Sequence, residues 1–98
     1  MRLDAREQTA LQSALAGVEA EAVYLFGSRA DDQRAGGDID LLVFSSDNAF
    51  ELSRKIASRF FMECEEKVDV VVMNPAALSS EQQVFLNLLR QGKMERIR

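Results

Sequence analysis

Apolar positions along the chain recur first at helical spacing and then in short unbroken runs, and this change of period predicts most of the elements. Leu3, Ala10, Leu11, Ala14, Leu15 and Val18 repeat every three or four residues, predicting a helix over 4–17 opened by Asp4 with Glu7 and closed at Gly17. After a connection at 19–21, the apolar run 22–26 predicts a first strand, 28–32 a short helix, 33–37 a loop and 38–44 a second strand. Asn48 with Glu51 opens a longer helix reaching about residue 64, with Phe50, Ile56, Ala57, Phe60, Phe61 and Cys64 as its apolar stripe. The β-branched run 67–73 predicts a third strand, and Pro75 then breaks the chain. Ser80 with Gln83 caps a last helix reaching about residue 91, with Val84, Phe85, Leu88 and Leu89 inward and Gly92 at its C-terminal cap. Residues 94–97 form a short edge strand. The expected class is α/β (α+β), a small mixed sheet with helices packed against it.

Composition narrows this further. Ninety-eight residues make a single domain, 1–98, too short for a catalytic domain plus a substrate domain. A hydrophobic share of 47% and a charged share of 29% are those of a soluble globular chain. No apolar run approaches the roughly 20 residues of a membrane span, and the N-terminus lacks the apolar core of a signal peptide. The single cysteine, Cys64, excludes an internal disulfide and reads as packing in a reducing compartment, so a cytoplasmic setting is expected. A net charge of −4 argues against a non-specific nucleic-acid binder. With no histidine, acid–base work falls to carboxylates and any metal is a hard cation.

The chemistry concentrates between residues 23 and 44. The first strand ends at Phe26, Gly27 allows a tight turn, and Ser28 stands at the start of a short helix where backbone N–H groups and a hydroxyl can hold an anion. Gly36 and Gly37 let backbone approach whatever lies against Asp38. Asp38 and Asp40 are two apart in a strand and leave the same face, where the repulsion between them calls for a divalent cation with oxygen ligands. Alternating carboxylates are commonly just the wet face of a strand. Here Asp38, Asp40 and Asp69 each interrupt apolar sequence, which costs stability unless the charge is compensated. Arg29 has two readings, a bidentate phosphate donor or a surface arginine paired with Asp31 or Asp32.

Gly27-Ser28, then Asp38-Ile39-Asp40 running into aliphatics, resembles the signature of the DNA polymerase β-type nucleotidyltransferase superfamily. The small size points to its minimal nucleotidyltransferase (MNT) branch, many of whose members are antitoxins paired with a HEPN-domain protein. The resemblance spans roughly residues 23–73 and implies a polymerase β-like fold. It places Gly27 and Ser28 at the phosphates of a nucleoside triphosphate such as ATP, where Arg29, on its reading as a phosphate donor, would join them. Asp38, Asp40 and a third carboxylate, Asp69, would be catalytic and hold one or two Mg²⁺. It implies AMP transfer to a tyrosine of a HEPN-type partner. Gly37, where many relatives carry Ser or Asn, and the acidic loop with Asp31, Asp32, Gln33 and Arg34 depart from the pattern. An alternative is a binding module that masks its partner with a vestigial nucleotide site. Transfer to a small molecule such as an aminoglycoside ranks lower for want of a helical domain, and RNA tailing lower still on charge and size. Apolar side chains left over on the last helix would serve a partner or a second copy.

Overall fold

The computed structural model describes residues 2–31 and 37–98. Its elements are α1 (Ala5–Leu15), β1 (Ala22–Phe26), a 3₁₀ turn (Gly27–Ala30), β2 (Ile39–Phe44), α2 (Ala49–Cys64), β3 (Val68–Met73), α3 (Ser80–Gln91) and β4 (Met94–Arg96). The architecture is the expected mixed sheet with helices on it.

The four strands lie in the order β3-β2-β1-β4. β1 pairs antiparallel with both β2 and β4. β2 and β3 run parallel, and a parallel pair needs a crossover long enough to return the chain, which α2 supplies. The register sets Phe26 opposite Asp40 on one side and Asp69 opposite Asp40 on the other.

Side-chain alternation divides the sheet into two faces. Val23, Leu25, Ile39, Leu41, Val43, Val68 and Val72 turn towards α1 and α2, where Ala10, Leu11, Ala14, Leu15, Leu52, Ile56, Phe60 and Cys64 close the main core. Burying each of the larger side chains is worth roughly 1.5–3 kcal/mol. The opposite face carries Tyr24, Phe26, Leu42, Phe44, Val71 and Met73, and α3 lies over it through Leu86, with Phe85 and Leu89 beside it. Edge-to-face ring contacts join Tyr24 to Phe44 and Phe26 to Phe85.

Several expectations are corrected. The buried positions of α2 are Leu52, Ile56, Phe60 and Cys64, a strict every-fourth-residue row, while Phe50 and Phe61 are 67% and 55% exposed. Phe50 instead lies under the Arg54 guanidinium, 5.5 Å from its ring centre. In α3 the buried residue is Leu86, and Val84 and Leu88 are each 60% exposed. That helix begins one residue early: Ser79 is its cap, in a reciprocal box with Gln82. The Asp4–Glu7 box opens α1 as expected, but Ala16 is the residue that caps its other end, and Gly17 follows with φ +75°. The short helix is a 3₁₀ turn over Gly27–Ala30, starting one residue and ending two residues earlier than the sequence suggests. Residues 32–36, and with them the expected loop apart from Gly37, lie outside the described residues.

Candidate active site

Strand polarity gathers the chemistry-bearing residues at one end of the sheet. β1 runs opposite to β2 and β3, so its C-terminal end, with Gly27 and Ser28 following, meets the N-terminal ends that carry Asp38, Asp40 and Asp69. Asp40 and Asp69 are direct register partners, on the same face as Leu42 and Met73, beyond the part that α3 covers. Asp38 stands just before β2 and is exposed, Asp40 is half-buried, and Asp69 is exposed with Lys67 Nζ 3.9 Å from its Oδ1. Burial, then the charges of Asp69 and Asp38, hold the Asp40 carboxyl above its usual range. The sheet therefore presses like charges together.

Two glycines permit this closeness. Gly27 has φ +73°, and a Cβ there would lie 2.6 Å from Asp40 Oδ2. Gly37 has φ +95°, and a Cβ there would collide with Ser28 Oγ and stand 2.8 Å from Ser28 Cβ. This gives the departure at Gly37 a physical reason: the Ser28 side chain occupies the space that a larger residue needs. The turn of β1 and the start of β2 are in contact through backbone and hydroxyl.

Arg29 is anchored on acceptors of the protein itself, its Nη2 also lying 3.9 Å from Glu66 Oε1. Its Nε donates to the Gly37 carbonyl at 2.9 Å, and its Nη1 donates to the Arg2 carbonyl at 3.0 Å and to both Glu7 oxygens at 2.9 and 3.0 Å. Arg2 in turn donates from Nη2 to the Ser28 carbonyl at 2.9 Å and from Nε to that of Asp31 at 3.0 Å. Burial alone would raise the Glu7 carboxyl, but bonds from Arg29 and the Asp4 backbone bring it below its ordinary value. Its neighbour Glu66 is pushed up by the hydrogen bond it makes to Glu7. Sequence reasoning took Glu7 only as a capping partner. Its place on the apolar face of α1, four residues after Leu3 and four before Leu11, was the available signal that it is buried. Nothing in the sequence singled out Arg2.

The donor set is uniformly hard. Asp38, Asp40 and Asp69 supply carboxylate oxygen, the chain has no histidine, and Cys64 is buried elsewhere. Among the described residues no three acidic, thiol or imidazole side chains already converge on one point. A pair of facing carboxylates with a third nearby still fits Mg²⁺, which keeps several waters and commonly takes one or two carboxylates plus substrate phosphates. A groove of ≈ 680 Å³ lies elsewhere, between α1 and the β4 end of the chain, lined by Leu11, Leu15 and Ile97 among others. No helix among the described residues is long and apolar enough to cross a membrane.

A glycine turn packed on Asp40, with Asp69 in register beside it, is thus gathered at one end of the sheet. Residues 10–93 match the family described as Polymerase beta, Nucleotidyltransferase, and the chain belongs to that family. Among curated proteins the chain matches none. Membership makes nucleotidyl transfer its class of chemistry.

Proposed function

We propose that the domain transfers a nucleoside monophosphate, AMP from ATP, to a hydroxyl acceptor with the help of Mg²⁺. The observation that supports this reading most is the register of Asp40 with Asp69 directly beside the Gly27–Ser28 turn. Ser28 and the amides of its turn hold the β- and γ-phosphates. Asp38, Asp40 and Asp69 hold the metal, which supplies charge neutralisation at the phosphates when bound. The acceptor oxygen attacks the α-phosphorus, the bond from that phosphorus to the bridging oxygen breaks, and pyrophosphate leaves with the electron pair. Asp69, the most open of the facing carboxylates, takes the acceptor proton. Arg29 serves this site from behind, by holding Gly37.

The domain has no acceptor-binding lobe among its described elements, which suits an acceptor presented by another macromolecule. In this proposal the acceptor is a tyrosine of a HEPN-type ribonuclease, and the domain is its antitoxin. The test is mass spectrometry of a HEPN protein encoded alongside, incubated with the domain, ATP and Mg²⁺. A gain of AMP, abolished by Asp40→Ala, is expected. An unchanged partner mass would refute the transfer.

A second reading, masking without chemistry, draws on the exposed Val84 and Leu88 of α3, an apolar strip available to a partner or to a second copy of the chain. Protection of the partner by Asp40→Ala as complete as by the native domain would favour it.

A further inference from the structure

We propose that Glu7, in the first turn of α1, is a positioning residue of the nucleotide site, acting through Arg29 to fix the separation of Ser28 from Asp38. The proposal rests on the nucleotidyltransferase reading above and concerns a residue of α1 rather than of the acidic strands.

The ordinary work of Glu7 is to complete the capping box, accepting from the Asp4 N–H at 3.0 Å. A box of this kind normally sits at the surface, where its side chain stays wet. Glu7 is instead buried, its side chain 5% exposed, and both oxygens accept from Arg29 Nη1. Stability alone does not account for that arrangement. Taking a carboxylate and a guanidinium out of water largely offsets their attraction, and such pairs contribute little net stability. What the pair does supply is geometry. A guanidinium is a rigid plane, so fixing Nη1 on Glu7 also fixes the direction of Nε, which holds the Gly37 carbonyl. Gly37 directly precedes Asp38 and packs on the Ser28 side chain. The other arm of the same chain segment, Arg2, holds the carbonyls of Ser28 and Asp31. Both flanks of the loop are thus tied to the segment that opens α1, the Gly37 side through Arg29 and Glu7 and the Asp31 side through Arg2.

Without the Glu7 charge, Arg29 loses the carboxylate that fixes its Nη1. It keeps the carbonyls of Arg2 and Gly37 and the looser ion pair of its Nη2 with Glu66 Oε1 at 3.9 Å, which leaves the guanidinium plane less firmly set. Gly37 is then free to move off Ser28, and the phosphate turn and the first carboxylate lose their common frame. Supporting residues of this kind typically change affinity or activity by about ten-fold or more when altered.

The experiment measures binding of each of the four ribonucleoside triphosphates with Mg²⁺ by calorimetry, for the native domain, Glu7→Gln, Glu7→Asp, Arg2→Gln and Asp40→Asn. Thermal unfolding of every variant fixes the folded fraction. Glu7→Gln is expected to weaken triphosphate binding about ten-fold on the folded fraction, Arg2→Gln to weaken it less, and Glu7→Asp, which keeps the charge, to recover most of the loss. A purely structural Glu7 would lower the unfolding midpoint and leave the affinity of the folded molecules unchanged, and that result overturns the proposal. Should Glu7→Gln fail to fold, Arg29→Lys is measured in its place, since it keeps the charge and gives up the rigid plane between Glu7 and the Gly37 carbonyl, and native affinity in that variant overturns the proposal equally. Failure of the native domain to bind any triphosphate, or native binding by Asp40→Asn, would instead sink the nucleotidyltransferase reading beneath it.

Discussion

Replacing Gly37 by alanine separates two penalties that a glycine usually hides together. Gly37 and Gly17 both have positive φ, +95° and +75°, so alanine at either meets the left-handed backbone penalty of about 1–2 kcal/mol. Around Gly17 a Cβ would meet nothing within 4 Å, so for Gly17→Ala that penalty is the whole effect. At Gly37 the new methyl would also stand 2.8 Å from Ser28 Cβ. Rotating the serine moves its hydroxyl but not its Cβ, so the two backbones must separate, and overpacking of this kind adds about 1–3 kcal/mol. Gly37→Ala should therefore lose about 2–5 kcal/mol in all, a large part of the roughly 5–15 kcal/mol that stabilises a domain. Urea unfolding followed by circular dichroism reads this directly. With a slope of about 2 kcal/mol per molar, the midpoint should fall by about 1–2.5 M for Gly37→Ala and by no more than about 1 M for Gly17→Ala. Equal shifts in the two variants would refute the close packing of Gly37 on Ser28.

Gly27→Ala should behave differently again: its Cβ meets the mobile end of Asp40, so stability should fall about as for Gly17→Ala while nucleotide transfer is lost, measured as a drop in kcat. Burial, Asp69 and Asp38 raise the Asp40 carboxyl, so its contribution to stability is present at low pH and lost as pH rises through its folded pKa. Asp40→Asn should accordingly raise the unfolding midpoint at pH 7 in metal-free buffer, and a lowered midpoint would contradict that electrostatic account. Glu7 has the opposite sign. Its folded pKa is below the ordinary 4.5, so the stability it confers holds above that value and is lost as pH falls through the folded pKa. Acid titration of the midpoint should show a shallower decline below pH 4.5 in Glu7→Gln than in the native domain.

Much of this was legible in the residues. The unbroken run of β1, the β-branched run of β3 and the Asp4 and Asn48 caps announced the elements, because each signal is local. The meeting of Gly27 and Ser28 with Asp40 and Asp69 was legible only through resemblance, since it depends on how strands separated in sequence pair. The faces of α2 and α3 were misjudged because bulky apolar residues outnumber the positions that each helix can bury. Phe50, Phe61, Val84 and Leu88 looked like core and are at the surface. Arg29 shows the converse: in the sequence it reads either as a phosphate donor or as a partner of Asp31 or Asp32, whereas the fold delivers Glu7 from 22 residues away.

The parallel pairing of β2 with β3 has a consequence for how the domain reaches its folded state. Asp40 and Asp69 become neighbours only after the crossover through α2 has closed, and closing such a loop must precede any reward from the contacts that it makes. The acidic pair is therefore absent from any intermediate that holds only α1 with the β1–β2 hairpin. During refolding, sensitivity to divalent cations should arise together with the final protection of β3 amides, which makes the site a reporter of completed folding.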